Sequence, residues 1–225
     1  MKPGAVFLSW IGWGILGVLC AQCGSDKDSS DQGAEPSAYG CIDGHAPLYD
    51  AYGLYWGDLH AHTIYSDDAA AMTPPPGDPE DAIAWARDPG GGALDFAAVT
   101  DHAETMTPEE WSASVAAFQA ADSAGFVLFP GFEYTNCSFQ PGHGHKCVVF
   151  RDADHLPAHP TGADSCGDPA CLWQALDGDP GAEHYMTIPH HPAKGIDYAS
   201  NMATDWDPAY VDGARQRLLE IYSVH

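Results

Sequence analysis

The sequence predicts an α/β fold, in which the strands form a distorted parallel β/α barrel. Short apolar stretches of strand character alternate with stretches of helical spacing from residue 54 onward. This alternation is typical of parallel sheets covered by helices. Histidine, aspartate or glutamate also stands at one edge of each of five strands, mostly the C-terminal edge. In a parallel barrel these ends converge on one mouth, where the functional site lies.

Each element has its own local signal. Pro79 and Glu80 begin a stretch of helical spacing, and Thr107 and Pro108 are typical of a helix start. Gly125 predicts where that second helix ends. The predicted strands are 54–60, 96–99, 126–134, 146–152 and 184–191. The predicted helices are 79–88, 107–125, 168–176 and 207–217, the last leading into the apolar stretch 218–225.

The first 23 residues have the pattern of an export signal. Lys2 precedes an uncharged apolar run from Ala5 to Leu19, which is short for a membrane-spanning helix. Cys20 and Cys23 follow, and either is a candidate for lipidation, as in a bacterial lipoprotein. The alternative is ordinary cleavage and secretion. We therefore expect an exported protein that is either held to the membrane through a lipid anchor alone or secreted.

Polar, small residues dominate 24–50 and predict a flexible tether before a folded domain at 51–225. The whole chain carries 8 Lys and Arg against 32 Asp and Glu, a formal charge of −24. Such a charge repels nucleic acid and anionic lipid. We therefore expect no nucleic-acid partner, and the oligomeric state is left open.

Seven cysteines fit an exported protein better than a cytosolic one. Cys166 and Cys171 are close enough in sequence to pair, as are Cys137 and Cys147. The sequence leaves the connectivity open, and free buried cysteines remain an alternative.

The stretch "DLHAHTIYSDD" at 58–68 carries the first candidate metal ligands. His60 and His62 are separated by Ala61, so on a strand both side chains point to the same face. A shared cation explains this pairing better than a contact between two neutral rings. Imidazole and carboxylate groups suit zinc, manganese or iron.

Five motifs in order resemble the PHP superfamily, named for polymerase and histidinol phosphatase. They are "DLHAHTIYSDD", "AAVTDHAE", "FPGFEYT", "GHKCVVF" and "IPHHPA". The resemblance covers about residues 54–225, and the details "GHKCVVFRD" and "LEIYSVH" look like an exported branch catalogued as a domain of unknown function. It implies a PHP-type barrel that binds two or three metal ions.

The resemblance also implies a ligand set. His60 and His62 would bind one metal, and Asp67 and His102 a further one, while Glu133 would be the bridging carboxylate. His145 and His191 match two later histidine positions. The superfamily usually completes its site with a late Asp-x-His pair, which is not found before His225. We therefore expect this chain to be an N-terminal portion with an incomplete barrel.

Several nearby residues have two interpretations each. Asp101, a candidate catalytic residue, either orients a ligand histidine or caps a loop. His190 either contacts substrate or donates a proton, or is structural. Lys146, Arg151 and Lys194 are candidate phosphate contacts or solvated charges.

The resulting hypothesis is a metal-dependent hydrolase that acts on small phosphoesters through a metal-bound hydroxide. Two alternatives stay open. One is an amidohydrolase-like enzyme that cuts amides or lactones. The other is a non-catalytic metal-binding or carbohydrate-contacting module at the cell surface.

Overall fold

The computed structural model describes residues 55–88, 90–121, 125–136, 143–190 and 209–220. From Trp56 onward these residues belong to one compact unit. Its strands are β1 (Gly57–Asp58), β2 (Phe96–Val99), β3 (Val127–Tyr134), β4 (Lys146–Phe150) and β5 (Tyr185–Pro189). Its α-helices are α1 (Asp67–Ala70), α2 (Pro79–Arg87), α3 (Pro108–Ala120) and α4 (Pro169–Leu176), and a π-helical turn at Asp177–Gly181 follows α4.

The strands form one mixed sheet in the order β1-β2-β3-β4-β5. β1, β2 and β3 pair in parallel, whereas β3–β4 and β4–β5 pair antiparallel. The prediction of a parallel β/α barrel is therefore wrong. β4 runs against its neighbours, while β5 again runs in the direction of β3.

The connection from β3 to β4 gives a physical reason for the reversal. Only residues 135–145 separate the two strands, and they include Pro141, Gly142 and Gly144. A parallel return needs a crossover of about a dozen or more residues, usually a helix. This segment is short and lacks helical spacing, so β4 pairs with β3 as an antiparallel neighbour.

The reversal still brings the polar strand ends together. His60, His102 and His190 follow β1, β2 and β5, and Glu133 lies near the end of β3. His145 directly precedes β4. Because β4 is reversed, the start of this strand lies at the same edge of the sheet as the ends of the other four.

Two apolar clusters cover the two faces of the sheet. The larger includes Trp111, Phe132, Phe150, Leu172 and Leu176, and it packs α2, α3 and α4 against one face. The smaller consists of Ala98, Cys147, Val149 and Ile188. Residues 147–150 alternate between the clusters, as expected for a strand buried on both faces. The edge that carries the histidines is thus held by a buried sheet.

Local sequence signals located most elements correctly. The prediction for 96–99 is confirmed by β2, and those for 79–88 and 168–176 are confirmed by α2 and α4 to within one residue. Thr107 caps α3 through a capping box with Glu110. α3 ends at Ala120, before the predicted Gly125. The predicted helix at 207–217 is wrong over 209–217, which form turns and irregular backbone.

Cysteine pairing is resolved for three residues. Cys166 and Cys171 form a disulfide. Cys147 is a free, buried thiol, so the alternative pair with Cys137 does not form.

The predicted signal, both lipidation candidates and the tether lie outside the described residues. Within the part of the chain that the structure describes, no helix has the length and apolar character required to cross a bilayer.

Candidate metal centre

Glu133 is the centre of the polar cluster at this edge of the sheet. Its Oε2 lies 3.1 Å from His60 Nε2 and 3.0 Å from His62 Nε2. Its Oε1 lies 2.9 Å from His145 Nδ1 and 3.1 Å from His190 Nε2. The two carboxylate oxygens therefore face two different histidine pairs, which is the arrangement of a bridging ligand.

The backbone around Glu133 fixes its position. Its N–H donates to the Asp101 carbonyl and its carbonyl accepts from the Ala103 N–H, both at 2.9 Å. These bonds extend the β2–β3 pairing to a bridge between His102 and Glu133. The Thr135 hydroxyl donates to Glu133 Oε1 at 3.2 Å and lies 2.6 Å from His102 Nδ1.

A hydrogen-bond chain determines the tautomer of His62. The Ser66 hydroxyl donates its one proton to Asp101 Oδ1 at 2.8 Å, since a carboxylate only accepts. Ser66 Oγ must then accept from His62 Nδ1, which lies 2.7 Å away. This network assigns the ring proton of His62 to Nδ1. The lone pair of Nε2 is consequently directed at Glu133 and His60.

His60 is held in the same way from the other end of the chain. Its Nδ1 lies 2.9 Å from Glu220 Oε2, and a carboxylate there requires a proton on Nδ1. In the neutral form of His60, the form that binds a metal, the lone pair is then on Nε2. Glu220 is placed by a hydrogen bond from its N–H to the Pro189 carbonyl at 3.0 Å.

These protonation states test whether the cluster fits a metal ion. His60 Nε2 and His62 Nε2 lie 3.0 Å apart, and both lie within 3.1 Å of Glu133 Oε2. Three electron-pair donors at this spacing repel one another unless a proton or a cation lies among them. Ligands on one ion with bonds of about 2.1 Å have the same spacing. The donor set therefore fits a divalent metal.

The pKa values of Glu133 and His190 indicate the protonation states in which these two residues lie in the cluster. Burial by itself raises the pKa of Glu133, but His190, His145 and His60 outweigh it and hold that pKa well below its ordinary value. Burial lowers the pKa of His190 well below its ordinary value, which Glu133 only partly opposes. Glu133 is thus a carboxylate and His190 a neutral ring, the forms in which both bind metals.

The described residues contain further metal-ligand groupings that share members with this one. Asp68 Oδ2 lies 3.5 Å from His102 Nε2, and these two residues group with His62. Hydrogen bonding to His102 lowers the pKa of Asp68 to about 2. The groupings at this edge are His60–His62–Glu133, Glu133–His145–His190, His62–Asp68–His102 and His60–Cys147–His190. The cluster could therefore hold metal ions at adjoining positions.

One family model matches the chain, over residues 50–110 and 104–220. It describes a protein of unknown function, DUF3604. The chain belongs to this family. No curated protein matches the chain. The residues of the centre lie within the matched ranges, so in this chain the metal-ligand cluster is part of the DUF3604 domain.

Asp67, predicted as a ligand, lies beside the cluster in a different role. Its Oδ1 accepts from the Asp68 N–H at 2.9 Å, and its side chain is exposed. Both residues begin α1, and the helix directs Asp68 toward His102. Of the two aspartates, Asp68 is the one that groups with His62 and His102, and Asp67 as a ligand stays a prediction.

Asp101 acts through other residues in this structure. It is 1% exposed and accepts from the Thr63 N–H at 2.6 Å, the Thr63 hydroxyl at 2.7 Å and Ser66. Of the two interpretations from sequence, the geometry favours the one in which Asp101 orients a ligand histidine, here His62 through Ser66.

Two of the predicted phosphate contacts, Lys146 and Arg151, lie within the described residues. Lys146 is fully buried and its Nζ donates to the His143 carbonyl at 2.8 Å. Arg151 lies at the opposite end of β4 from His145, about 20 Å away at roughly 3.3 Å per residue. His191 and Lys194 lie outside the described residues.

Besides Asp68, four contributors were not predicted from the sequence as part of the centre: Ser66, Thr135, Cys147 and Glu220. Ser66 and Thr135 orient ligand candidates, and Cys147 Sγ lies 3.7 Å from His190 Nδ1. Each lies within or next to a motif that was recognised for other residues. Side-chain direction would have indicated Cys147, because it is two residues after His145 on the same strand face.

Proposed function

We propose that this chain is a metal-dependent hydrolase related to the PHP superfamily, with two or three ions of zinc, manganese or iron and phosphoesters as substrates. The observation that carries the proposal is the use of both Glu133 oxygens. Each oxygen faces its own histidine pair at 2.9–3.1 Å. A carboxylate shared in this way is characteristic of sites where adjacent ions act on one substrate.

Bound divalent ions supply Lewis acidity, which neutralises phosphoryl oxygens and lowers the pKa of water toward neutrality. The protein residues arrange the ligands. Asp101 and Ser66 hold His62 with Nε2 directed inward, and Glu220 does the same for His60. Thr135 holds Glu133 and His102 together. These contacts fix the ligand atoms before a substrate arrives.

Burial in the cluster indicates the side from which a substrate would enter. Glu133 and His190 have side chains 2% and 0% exposed, whereas His62 and His102 are 15% and 13% exposed. Asp68 is 50% exposed. We therefore assign the floor of the site to Glu133 and His190 and the rim to His62, His102 and Asp68.

The charge of the chain is consistent with phosphate binding through metal ions. At −24 the chain repels an anionic substrate unless cations intervene. Lys146 donates to a backbone carbonyl and Arg151 is distant. If only the described residues are considered, positive charge for a phosphoester would come from the ions.

The test uses the full chain, with bound metal measured by plasma mass spectrometry and hydrolysis measured on phosphomonoesters and phosphodiesters with added Mn²⁺ or Zn²⁺. Amides and lactones are assayed in parallel. His62→Gln should lose both metal and hydrolysis. His159→Gln is the matched control, because His159 is exposed and its Nδ1 contacts only the Pro160 carbonyl among the described residues.

Each result has a defined meaning. Phosphoester hydrolysis that requires metal and His62 supports the proposal. Metal binding without hydrolysis of any substrate overturns the enzymatic assignment and favours a non-catalytic module. Hydrolysis of amides or lactones alone overturns the substrate class. Absence of bound metal contradicts the site itself.

A further inference from the structure

A second group of metal-ligand side chains lies at the far end of the β4–β5 pair. Asp152 and His155 follow β4, and His184 directly precedes β5. His184 and His190 are at opposite ends of β5, about 20 Å apart at roughly 3.3 Å per residue. This group is therefore separate from the centre around Glu133.

The backbone positions the Asp152 carboxylate. Its Oδ1 accepts from the N–H groups of Asp154 and His155, both at 3.1 Å. The same oxygen lies 2.7 Å from His155 Nδ1. The carboxylate and the first imidazole are thereby held together within one turn of chain.

His184 is fixed from both sides of its backbone. Its N–H donates to the Gly181 carbonyl at 3.1 Å, and its carbonyl accepts from the Arg151 N–H at 2.8 Å. Its ring stacks on that of His155, with centroids 3.7 Å apart and planes 8° apart. Residues 29 positions apart in sequence are thus in direct contact.

One nitrogen in this group lacks a partner. His184 Nδ1 is buried and has no hydrogen-bond partner among the described residues. A buried polar atom without a partner destabilises the folded state, because it has lost its hydrogen bonds to water. Coordination of a cation by Nδ1 itself would supply the missing partner.

We propose that Asp152, His155 and His184 form a second metal site, which takes a divalent transition ion such as Zn²⁺. One atom from each residue lies within 4.8 Å of the other two. Two ligands of tetrahedral zinc lie roughly 3.4 Å apart, given bonds of about 2.0–2.1 Å. His155 is 45% exposed, so its ring can turn and bring the ligand atoms from a separation of up to 4.8 Å to the spacing of zinc ligands. Two imidazoles and a carboxylate suit zinc better than calcium or magnesium.

A metal here would join the segment after β4 to the residue before β5. It would act as a clamp at the end of the ladder opposite the centre. The proposal does not depend on the hydrolase function, since none of these three residues contributes to the Glu133 cluster.

The experiment is a zinc titration by calorimetry of the full chain and of His155→Gln, His184→Gln and His159→Gln. The first two variants should each bind one zinc ion fewer than the unaltered chain, while His159→Gln should bind the same number. The series is repeated with Glu133→Gln present, so that the loss is measured without the other centre. Circular dichroism verifies that each variant folds. If His184→Gln fails to fold, the zinc number of His155→Gln decides, because His155 is exposed.

Equal zinc numbers and affinities for the unaltered chain, His155→Gln and His184→Gln would overturn the proposal. If these variants lose one zinc ion and no assay detects hydrolysis, the second metal site is supported and the hydrolase proposal is refuted. The two proposals therefore fail independently.

Discussion

The two ends of the β4–β5 ladder carry histidine groups of opposite character. At one end, His145 and His190 lie against Glu133, with side chains 10%, 0% and 2% exposed. At the other end, the side chains of His155, Asp152 and His184 are 45%, 39% and 17% exposed. Burial strengthens electrostatic interactions and prevents rearrangement. We expect the buried group to bind metal tightly and the exposed group to bind it weakly.

The largest expected difference is between Glu133→Gln and Asp152→Asn. Both changes replace a carboxylate by its neutral isostere, but only Glu133 serves two histidine pairs. We expect Glu133→Gln to weaken metal binding at the centre on the order of 100-fold or more. Asp152→Asn should leave hydrolysis unchanged. Competition with a chromophoric chelator measures the metal affinities. Equal losses of metal affinity in the two variants would contradict the expected difference between the two ends.

Metal removal should affect the two ends unequally. A ligand present at about 100 times its Kd stabilises the folded state by about 2.7 kcal/mol. For a domain of this size that corresponds to roughly 5–10 °C in Tm. We expect chelation to lower the Tm of the unaltered chain by this amount and that of Glu133→Gln by much less. His155→Gln should respond almost as the unaltered chain does. Calorimetric scans with and without chelator provide the measurement.

Ser66→Ala tests the hydrogen-bond chain that orients His62. Removal of the hydroxyl leaves His62 Nδ1 and Asp101 Oδ1 without a shared partner. Loss of such an orienting contact typically costs about 10- to 100-fold in metal affinity. Ser112→Ala is the control, because Ser112 is exposed and donates only to the Pro108 carbonyl among the described residues. An affinity in Ser66→Ala equal to that of the control would show that Ser66 does not position the ligand.

The smallest effect is expected at the exposed end, from Arg215→Gln. Arg215 donates hydrogen bonds to Asp177, which lower the pKa of that carboxyl below its ordinary value. A lowered folded-state pKa means that the pair stabilises the fold above the unfolded pKa of about 4, and that this contribution is lost as the pH falls through the folded value. The pair is partly exposed, so we expect a loss of up to about 1 kcal/mol at neutral pH.

Unfolding in urea at several pH values measures this contribution. The difference between Arg215→Gln and the unaltered chain should shrink on acidification below pH 4 or so. Metal content at the Glu133 centre should not change. A difference that grows toward acid pH would contradict the assigned cause.

The strand edges illustrate how far the sequence could predict the centre. Apolar stretches followed by His60, His102, Glu133 and His190 indicated that these residues meet at one edge, and they do. The sequence indicated Asp67 as a ligand, whereas Asp68 is the aspartate that lies near His102, because one-residue steps in a helix start change the side-chain direction by about 100°. Sequence spacing alone cannot decide which of two adjacent aspartates contacts His102, because this depends on the position of His102 in the folded chain.

The sequence by itself determined the local elements and the kinds of ligand. Prolines and Thr107 set the helix starts, and short apolar stretches set the strands, because these depend on neighbours along the chain. Strand direction was decided only by the tertiary structure, since it depends on which edge a short connection can reach. The tertiary structure alone also decided the hydrogen bond between Glu220 and His60 and the stacking of His184 on His155. Those contacts join residues 160 and 29 positions apart, and only the paired sheet brings them together.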